Sequence, residues 1–286
     1  MKNIRELNSK DLEGLNSEEY YHLMELDDLI CSNLKGGQVG DSSPIYLEIE
    51  SGCIVKLDLV SCRLPSVPRV VWEFKMLKDL DLDRNAIETF PNTIEKLEFL
   101  EVLSISDNKL SVFPESITKV TSLQSLNLAN NNIVSMPSSI GHLKNLRHLA
   151  LTNNRLKTLP ESIGGLISLK TFYLKENELE KLPEGFGGLK SLKEFSIRNN
   201  RLKTIPVSIG NLKNLSYLDL SNNCLEKLPD TIGEMESLST LWLGGNGLKK
   251  LPDSITKLKS IKTIRLKGNP LVSIPDGLIK ESIKIL

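Results

Sequence analysis

The chain has 286 residues, of which 40% are hydrophobic and 5% aromatic, and 36 Lys and Arg residues balance 36 Asp and Glu residues. No run of about 18 apolar residues occurs, which argues against a membrane-spanning helix. The lysines of the basic C-terminal end lie on scattered faces without interleaved aromatic residues, which argues against nucleic-acid binding. Charge is uneven along the chain, since residues 1–53 hold 4 basic against 11 acidic side chains.

An amphipathic helix is predicted near the N-terminus. Ser17 has the chemistry of a helix N-cap, Glu18 and Glu19 suit the first turn, and Gly36 and Gly37 follow the end of the pattern. Its apolar stripe consists of Leu23, Leu26, Ile30 and Leu34, with Leu12 and Leu15 in a preceding turn. The helix either caps the following structure or is a separate interaction element on the flexible segment 36–43.

A β-hairpin is predicted next, with its turn at residues 50–52. Its second arm, residues 54–59, is the first strand of a repeating structure, and its first arm covers the edge of that sheet. We therefore expect residues 1–53 to form an acidic cap and residues 54–286 to form a repeat domain.

A period of 23 residues organises the chain from residue 54 onward. Asparagine recurs at this step at nine of ten equivalent positions, the first copy having Cys62 instead. A fixed period in this range predicts a solenoid, in which each unit buries its apolar side against its neighbours. The proline column is Pro68, Pro91, Pro114, Pro137, Pro160, Pro183, Pro206, Pro229, Pro252 and Pro275, and the asparagine column is Asn85, Asn108, Asn131, Asn154, Asn177, Asn200, Asn223, Asn246 and Asn269.

Each unit alternates between a strand and a short turn. Residues 148–151, HLAL, have the period of a strand with one buried face. Asn154 is predicted to bond backbone groups of its own unit and the next one. Pro160 precedes a short helical turn, and Gly164 is predicted to close that turn as a C-cap. Cys62, in the first copy, is interpreted as a small buried thiol.

The pattern LxxLxLxxNxLxxLPxxIxxLxx, found for example at residues 169–191 as LKTFYLKENELEKLPEGFGGLKS, resembles a known family. It is similar to the leucine-rich repeats of the cytoplasmic Ras-suppressor, Shoc-type and scribble/erbin-type proteins and of the plant intracellular Ras-group. The resemblance implies an α/β fold, a right-handed horseshoe with a concave parallel sheet, short helical or 3-10 turns on the convex side and an N-terminal helical cap. It also implies binding of other proteins, in some members small GTPases or phosphatase subunits.

The last repeat is predicted to close the core with a helix formed by Leu278, Ile279, Ile283 and Leu286. Glu281 stands where earlier copies have an apolar residue, which marks a face turned to solvent, as a terminal repeat requires.

No catalytic or metal-binding pattern emerges. None of the three histidines is placed with both a nucleophile and an acid that would orient it. No Gly-Lys-Ser/Thr phosphate loop is present. We expect no enzymatic activity, no cofactor and no metal. The four cysteines show no paired arrangement and no secretory signal is visible, so we expect a cytoplasmic protein.

Recognition is expected at the variable outward positions of the strands. Most of these residues are small or polar, but an aromatic and basic group stands out in the C-terminal half. Packing in the core does not account for a tryptophan that points outward. Trp, Tyr and Arg are the residues that dominate the energetics of protein interfaces. The predicted partner-binding residues are His148, Tyr173, Lys175, Arg198, Tyr217 and Trp242.

An acidic group lies at the other end of the same wall. Because its carboxylates are spread over separate strands at solvent, we interpret it as a solvated patch or a dock for a basic surface rather than a metal site. It comprises Asp58, Asp79, Asp81, Asp83 and Asp107.

These observations predict a monomeric, non-catalytic scaffold that binds another protein through its concave face. By resemblance alone, the partner is a small GTPase or another signalling protein. Binding to nucleic acid or to a membrane is not expected. Two alternatives stay open: a structural module that self-associates through its N-terminal helix or solenoid end, and a polyanion-binding module that uses the lysine-rich C-terminal end.

Overall fold

A computed structural model describes residues 2–3, 15–34, 45–278 and 283–286 of the chain. The polypeptide divides into two compact units, residues 1–132 and 133–286. Each unit is a stack of repeats in which a short strand alternates with an outer turn. The predictions for Leu12, Gly36, Gly37, Ile279 and Glu281 and for segment 36–43 lie outside the described residues.

The described residues of the first unit form one α-helix and six strands. Helix α1 spans Ser17–Leu34. Strands β1 to β3 are antiparallel neighbours, and β3 to β6 pair in parallel. The strands are β1 Lys2–Asn3, β2 Tyr46–Glu50, β3 Cys53–Asp58, β4 Asp79–Asp81, β5 Val102–Ser104 and β6 Ser125–Asn127.

The described part of the second unit forms seven strands, which pair in parallel in chain order. From β7 to β12, residues 23 positions apart are direct partners, as Tyr217 and Thr240 are. The strands are β7 His148–Ala150, β8 Thr171–Tyr173, β9 Glu194–Ser196, β10 Tyr217–Asp219, β11 Thr240–Trp242, β12 Thr263–Arg265 and β13 Lys284–Ile285.

The outer segments are short 3-10 helices that follow the proline column. Pro160, with φ −73° and ψ 153°, directly precedes one of them. In the first unit they span Arg69–Glu73, Asn92–Lys96 and Glu115–Lys119. In the second they span Ser138–His142, Glu161–Gly165, Glu184–Gly188, Val207–Asn211, Asp230–Glu234, Asp253–Lys257 and Asp276–Leu278.

The core lies between strands and outer turns and consists of the repeated aliphatic columns. In one repeat Leu149, Leu151, Leu156 and Ile163 are at most 1% exposed. Three phenylalanines enlarge this core in the second unit, with the Phe186 and Phe195 ring centroids 4.7 Å apart. Burial of these side chains is the main stabilising contribution, at about 25 cal/mol per Å² of apolar surface.

The asparagine column forms a hydrogen-bonded ladder that ties each repeat to the preceding one. Asn177 Oδ1 accepts the Leu156 N–H at 3.0 Å, and its Nδ2 donates to the Leu151 carbonyl at 2.9 Å. The prediction of bonds to the next unit was wrong in direction, because the side chain reaches back toward the earlier turn. In the first copy Cys62 is fully buried, and burial raises the pKa of its thiol to about 12.

The glycines of the outer turns have a different role from the one predicted. Gly164 does not adopt the left-handed conformation of a C-cap, since the only glycines with positive φ among the described residues are Gly52, Gly245 and Gly268. A Cβ built on Gly164 would instead lie 2.1 Å from the Gly185 carbonyl oxygen of the next repeat. Close packing between neighbouring turns therefore requires glycine here.

Helix α1 packs against the beginning of the repeats. Asn16, rather than the predicted Ser17, is its N-cap, since Asn16 Oδ1 accepts the Glu19 N–H at 2.9 Å. Glu19 is 6% exposed and its carboxylate accepts the Ile54 N–H at 2.5 Å. The predicted stripe residues Leu23, Leu26 and Ile30 are fully buried. Among the described helices, none has the length and apolarity needed to cross a membrane.

The two ends of the chain show further differences from prediction. The hairpin turn is confirmed, with Ser51 and Gly52 both at positive φ, but β1 was not predicted. At the other end the predicted closing helix is wrong, since residues 284–285 form β13 beside β12. Leu278 is fully buried, whereas Leu286 is 45% exposed and its carbonyl oxygen accepts the Leu266 N–H.

Candidate functional site

The repeats of the second unit present a continuous row of outward side chains. On β11 the middle residue, Leu241, is fully buried, and the flanking Thr240 and Trp242 are half-buried. We call the outward positions of β7 to β12, with the second residue after the end of each strand, the strand face. Because these side chains are not needed for the core, their identity is free to serve recognition.

A stack of three side chains dominates the strand face. The Tyr217 and Trp242 rings meet edge to face, with centroids 5.2 Å apart. The guanidinium carbon of Arg265 lies 4.1 Å from the Trp242 ring centroid. Both geometries are attractive, each at roughly 0.5–1.5 kcal/mol, so the stack is held in a defined arrangement.

A buried carboxylate supports the stack from beneath. Asp219 is 1% exposed, and it accepts hydrogen bonds from Ser196 Oγ and from the Ser221 N–H. Burial, together with the neighbouring Asp219 carboxylate, raises the pKa of Tyr217 to about 12. The phenol therefore stays neutral at physiological pH and keeps its proton.

The indole of Trp242 carries an unsatisfied donor. Its Nε1–H is buried and has no hydrogen-bond partner among the described residues. Such a group costs the folded state about 1–3 kcal/mol. Stability alone does not explain a tryptophan at this position.

The other predicted residues lie on the same face in smaller groups. His148 is exposed and its Nδ1 is 2.9 Å from Thr171 Oγ1. Tyr173 donates its hydroxyl to Glu194 at 2.8 Å, and Lys175 Nζ lies 5.9 Å from the Tyr173 ring centroid. Burial, and then the bond to Glu194, raises the pKa of Tyr173.

A depression of about 490 Å³ adjoins Trp242 and brings in residues that the sequence analysis did not select. It is lined by the predicted residue Arg198 and also by Arg265 and Lys267. The signal for Arg265 was present in the sequence, because Arg265 stands one 23-residue step after Trp242 and is its direct partner on β12. No comparable feature of the sequence indicated the structural role of Asp219.

The acidic group of the first unit is largely engaged in internal contacts. Asp79 forms an ion pair with Lys56 at 2.5 Å. Asp83 Oδ1 accepts from Ser104 Oγ and from the Ser106 N–H, both at 2.6 Å. No cluster of ligands suited to a metal ion is found among the residues that the structure describes.

One carboxylate of this group is held in an unfavourable environment. Burial, with repulsion from Asp83, Asp58 and Asp79, raises the pKa of Asp81 to about 6. Its Oδ1 accepts the Asp83 N–H at 3.0 Å. Asn127, two repeats further on, makes the equivalent bond to the Ala129 N–H at 3.1 Å without a charge.

We expect the substitution Asp81→Asn to stabilise the protein by about 1 kcal/mol at pH 7.5. A raised folded-state pKa means that wild type gains stability as the pH falls from above 6 toward the unfolded value near 3.8. The advantage of the variant should therefore disappear below about pH 4. Denaturant unfolding between pH 4 and 8 measures it, and a variant that is less stable at pH 7.5 would contradict the assignment.

The strand face offers aromatic surface, fixed hydrogen-bond donors and cations. This combination is typical of the buried centre of protein interfaces.

Comparisons with known proteins agree with the repeat architecture. A family model described as a leucine-rich repeat region matches residues 54–146, 118–215 and 200–282. A search of curated proteins found no match.

Solved structures share the fold. The leucine-rich-repeat ectodomain of the plant membrane receptor kinase GASSHO1/SCHENGEN3 from Arabidopsis thaliana, in complex with CASPARIAN STRIP INTEGRITY FACTOR 2, is 28% identical with a TM-score of 0.74. That alignment covers 90% of this chain and 33% of the receptor chain. The plant peptide hormone receptor RGFR1 in complex with RGF2 is also 28% identical, with a TM-score of 0.74, over 86% of this chain and 40% of the receptor.

The chain thus spans about a third to two fifths of the length of these receptors. The family match extends over most of the sequence and coincides with the strands, outer turns and asparagine ladder. Repeats of this kind typically serve as binding scaffolds. The chain therefore belongs to the leucine-rich repeat family, and its repeats form a leucine-rich-repeat solenoid.

Proposed function

We propose that the protein is a non-catalytic scaffold that binds another protein through the strand face of its second unit, with Tyr217 and Trp242 at the centre of the contact. The observation that carries the proposal is the ordered stack of Tyr217, Trp242 and Arg265 on a surface that the core does not need. Tyr, Trp and Arg are the residues most enriched among interface hot spots.

Two further observations support it. The unpaired Nε1–H of Trp242 lowers the stability of the folded state, and a role in binding accounts for a tryptophan at this position. The edge-to-face contact with Trp242 orders the Tyr217 ring, so little side-chain freedom remains to be lost on binding. Similar solved structures include receptors captured in complexes with CASPARIAN STRIP INTEGRITY FACTOR 2 and RGF2, and we infer a protein or peptide partner for this chain by analogy.

The sequence resemblance to cytoplasmic Ras-suppressor and scribble-type repeats narrows the proposal. It favours a small GTPase or another signalling protein as partner, and it favours a monomeric protein acting in the cytoplasm. Cys53, Cys62 and Cys224 form no disulfide, which is compatible with a reducing compartment.

The test is the double substitution Tyr217→Ala and Trp242→Ala. We expect affinity for a partner recovered from native lysate to fall at least about tenfold, or 1.4 kcal/mol, because the central aromatic contact is lost. Titration calorimetry with the purified partner measures the change.

A matched control removes two apolar side chains that lie outside the strand face. Ile167 and Val207 are 52% and 60% exposed outside the strands of the same unit. Their double alanine variant should keep its affinity within about threefold. If the aromatic variant also stays within threefold, about 0.7 kcal/mol, the proposed contact site is wrong.

A further inference from the structure

The depression beside Trp242 results from the residues that stand two positions after the ends of four successive strands, β9 to β12. Arg198, Ser221, Gly244 and Lys267 occupy equivalent positions at the 23-residue step. The two middle residues are small, so the surface sinks between two long cationic side chains. With strands about 4.8 Å apart, the three steps from Arg198 to Lys267 span about 14 Å.

The charged side chains that line the depression, among the described residues, are all cationic. Arg198, Arg265 and Lys267 are exposed, and none of them forms an ion pair with another described residue. No aspartate or glutamate is among the described residues that line the depression. Asp219 lies near the Tyr217 hydroxyl, but it is buried and already accepts hydrogen bonds there.

Arg265 has a second role in this arrangement. Its guanidinium lies against the Trp242 ring, which orients it and leaves its outer edge for a ligand. A guanidinium presents a planar set of donors that matches a carboxylate, so a stacked arginine is well suited to bind one.

We propose that the depression receives an acidic segment of the bound partner, in an extended conformation, with two carboxylate side chains about four residues apart. This inference rests on the function proposed above and names the chemistry of the partner. Four residues of extended chain cover about 13 Å, which matches the span between Arg198 and Lys267. The aromatic stack at the edge of the depression supplies apolar contact beside the charges.

The observations favour a peptide over a nucleic acid. Three cationic side chains are present among the described residues that line the depression. Glu194, exposed on β9, lies on the same strand face and would repel a continuous row of phosphates. Isolated carboxylates can be placed between these charges, whereas a phosphate backbone cannot avoid the glutamate.

The experiment selects binders from a random dodecapeptide library displayed on phage, using the full chain as bait. We expect the selected peptides to be enriched in Asp and Glu. Their affinity, measured by fluorescence anisotropy, should fall at least tenfold in the variant Arg198→Gln with Lys267→Gln, and should weaken several-fold between 50 and 300 mM salt because exposed charges are screened. The charge-conserving variant Arg198→Lys with Lys267→Arg should stay within about threefold.

The control variant, Lys203→Gln with Lys227→Gln, removes two exposed lysines outside the depression and should leave affinity unchanged. Selected peptides without acidic enrichment, or an unchanged affinity in the Arg198 and Lys267 glutamine variant, would overturn the inference. If such peptides still lose binding in the Tyr217 and Trp242 alanine variant, the proposed function stands.

Two further outcomes are decisive. Insensitivity of the selected peptides to both variants, or failure of the library to yield any binder, would count against the proposed function and the inference together. Tighter binding of a single-stranded thymidine dodecamer than of the selected peptides would overturn the choice of a carboxylate ligand.

Discussion

Replacement of Asn177 by alanine is expected to lower the free energy of unfolding by about 4 kcal/mol. Asn177 is 7% exposed and its amide makes four hydrogen bonds to backbone groups. Alanine leaves the Leu156 N–H and the carbonyls of Leu151 and Leu174 without these bonds, in a place where water has little access. Each unsatisfied buried group costs about 1–3 kcal/mol.

Denaturant unfolding followed by circular dichroism measures this loss. Asn211→Ala is the control, since Asn211 is exposed at the end of an outer turn and its replacement should cost less than about 0.5 kcal/mol. A loss below about 1 kcal/mol for Asn177→Ala would mean that the ladder does not hold adjacent repeats together.

Replacement of Gly164 by alanine is expected to destabilise the protein by about 3 kcal/mol. The added Cβ would lie 2.1 Å from the Gly185 carbonyl oxygen and 3.3 Å from the Gly188 Cα. Both atoms belong to the backbone of the next outer turn, so the clash is relieved only if two packed turns separate. Thr118 and Thr256 occupy the equivalent position in outer repeats, which shows that the closest turn packing is confined to the central copies.

Gly247→Ala provides the comparison for this prediction. A Cβ there would lie 3.4 Å from the Leu225 carbonyl oxygen, which is ordinary van der Waals contact. Unfolding midpoints of the two variants, measured side by side, should differ clearly. Equal stability would show that the outer turns yield easily and that glycine is not required between them.

Much of the fold was predictable because the same pattern of side chains recurs in each repeat and packs in the same way. The 23-residue step located every strand from β3 to β12, and the proline column located the outer turns. Predictions failed where the repetition stops. The closing helix is instead β13, and the N-cap is Asn16 rather than Ser17, because at the ends the neighbours that decide the conformation occur only once.

The candidate site was predictable in position but only partly in composition. Alternation along each strand was enough to place Tyr217 and Trp242 on the outward side of the sheet. It gave no information on how side chains of adjacent strands would orient. The stacking of Arg265 on Trp242 and the support of Tyr217 by Asp219 depend on such orientations, so they required the structure.

The central claim is that repeated positions determine the fold, whereas the divergent residues of the strand face determine recognition. Affinity and unfolding free energy, measured together on two variants, test it most directly. We predict that the Tyr217 and Trp242 alanine variant loses at least tenfold in affinity with a small change in stability, and that Asn177→Ala loses about 4 kcal/mol of stability while the remaining folded protein binds normally. The reverse pattern, or parallel losses in both variants, would contradict the claim.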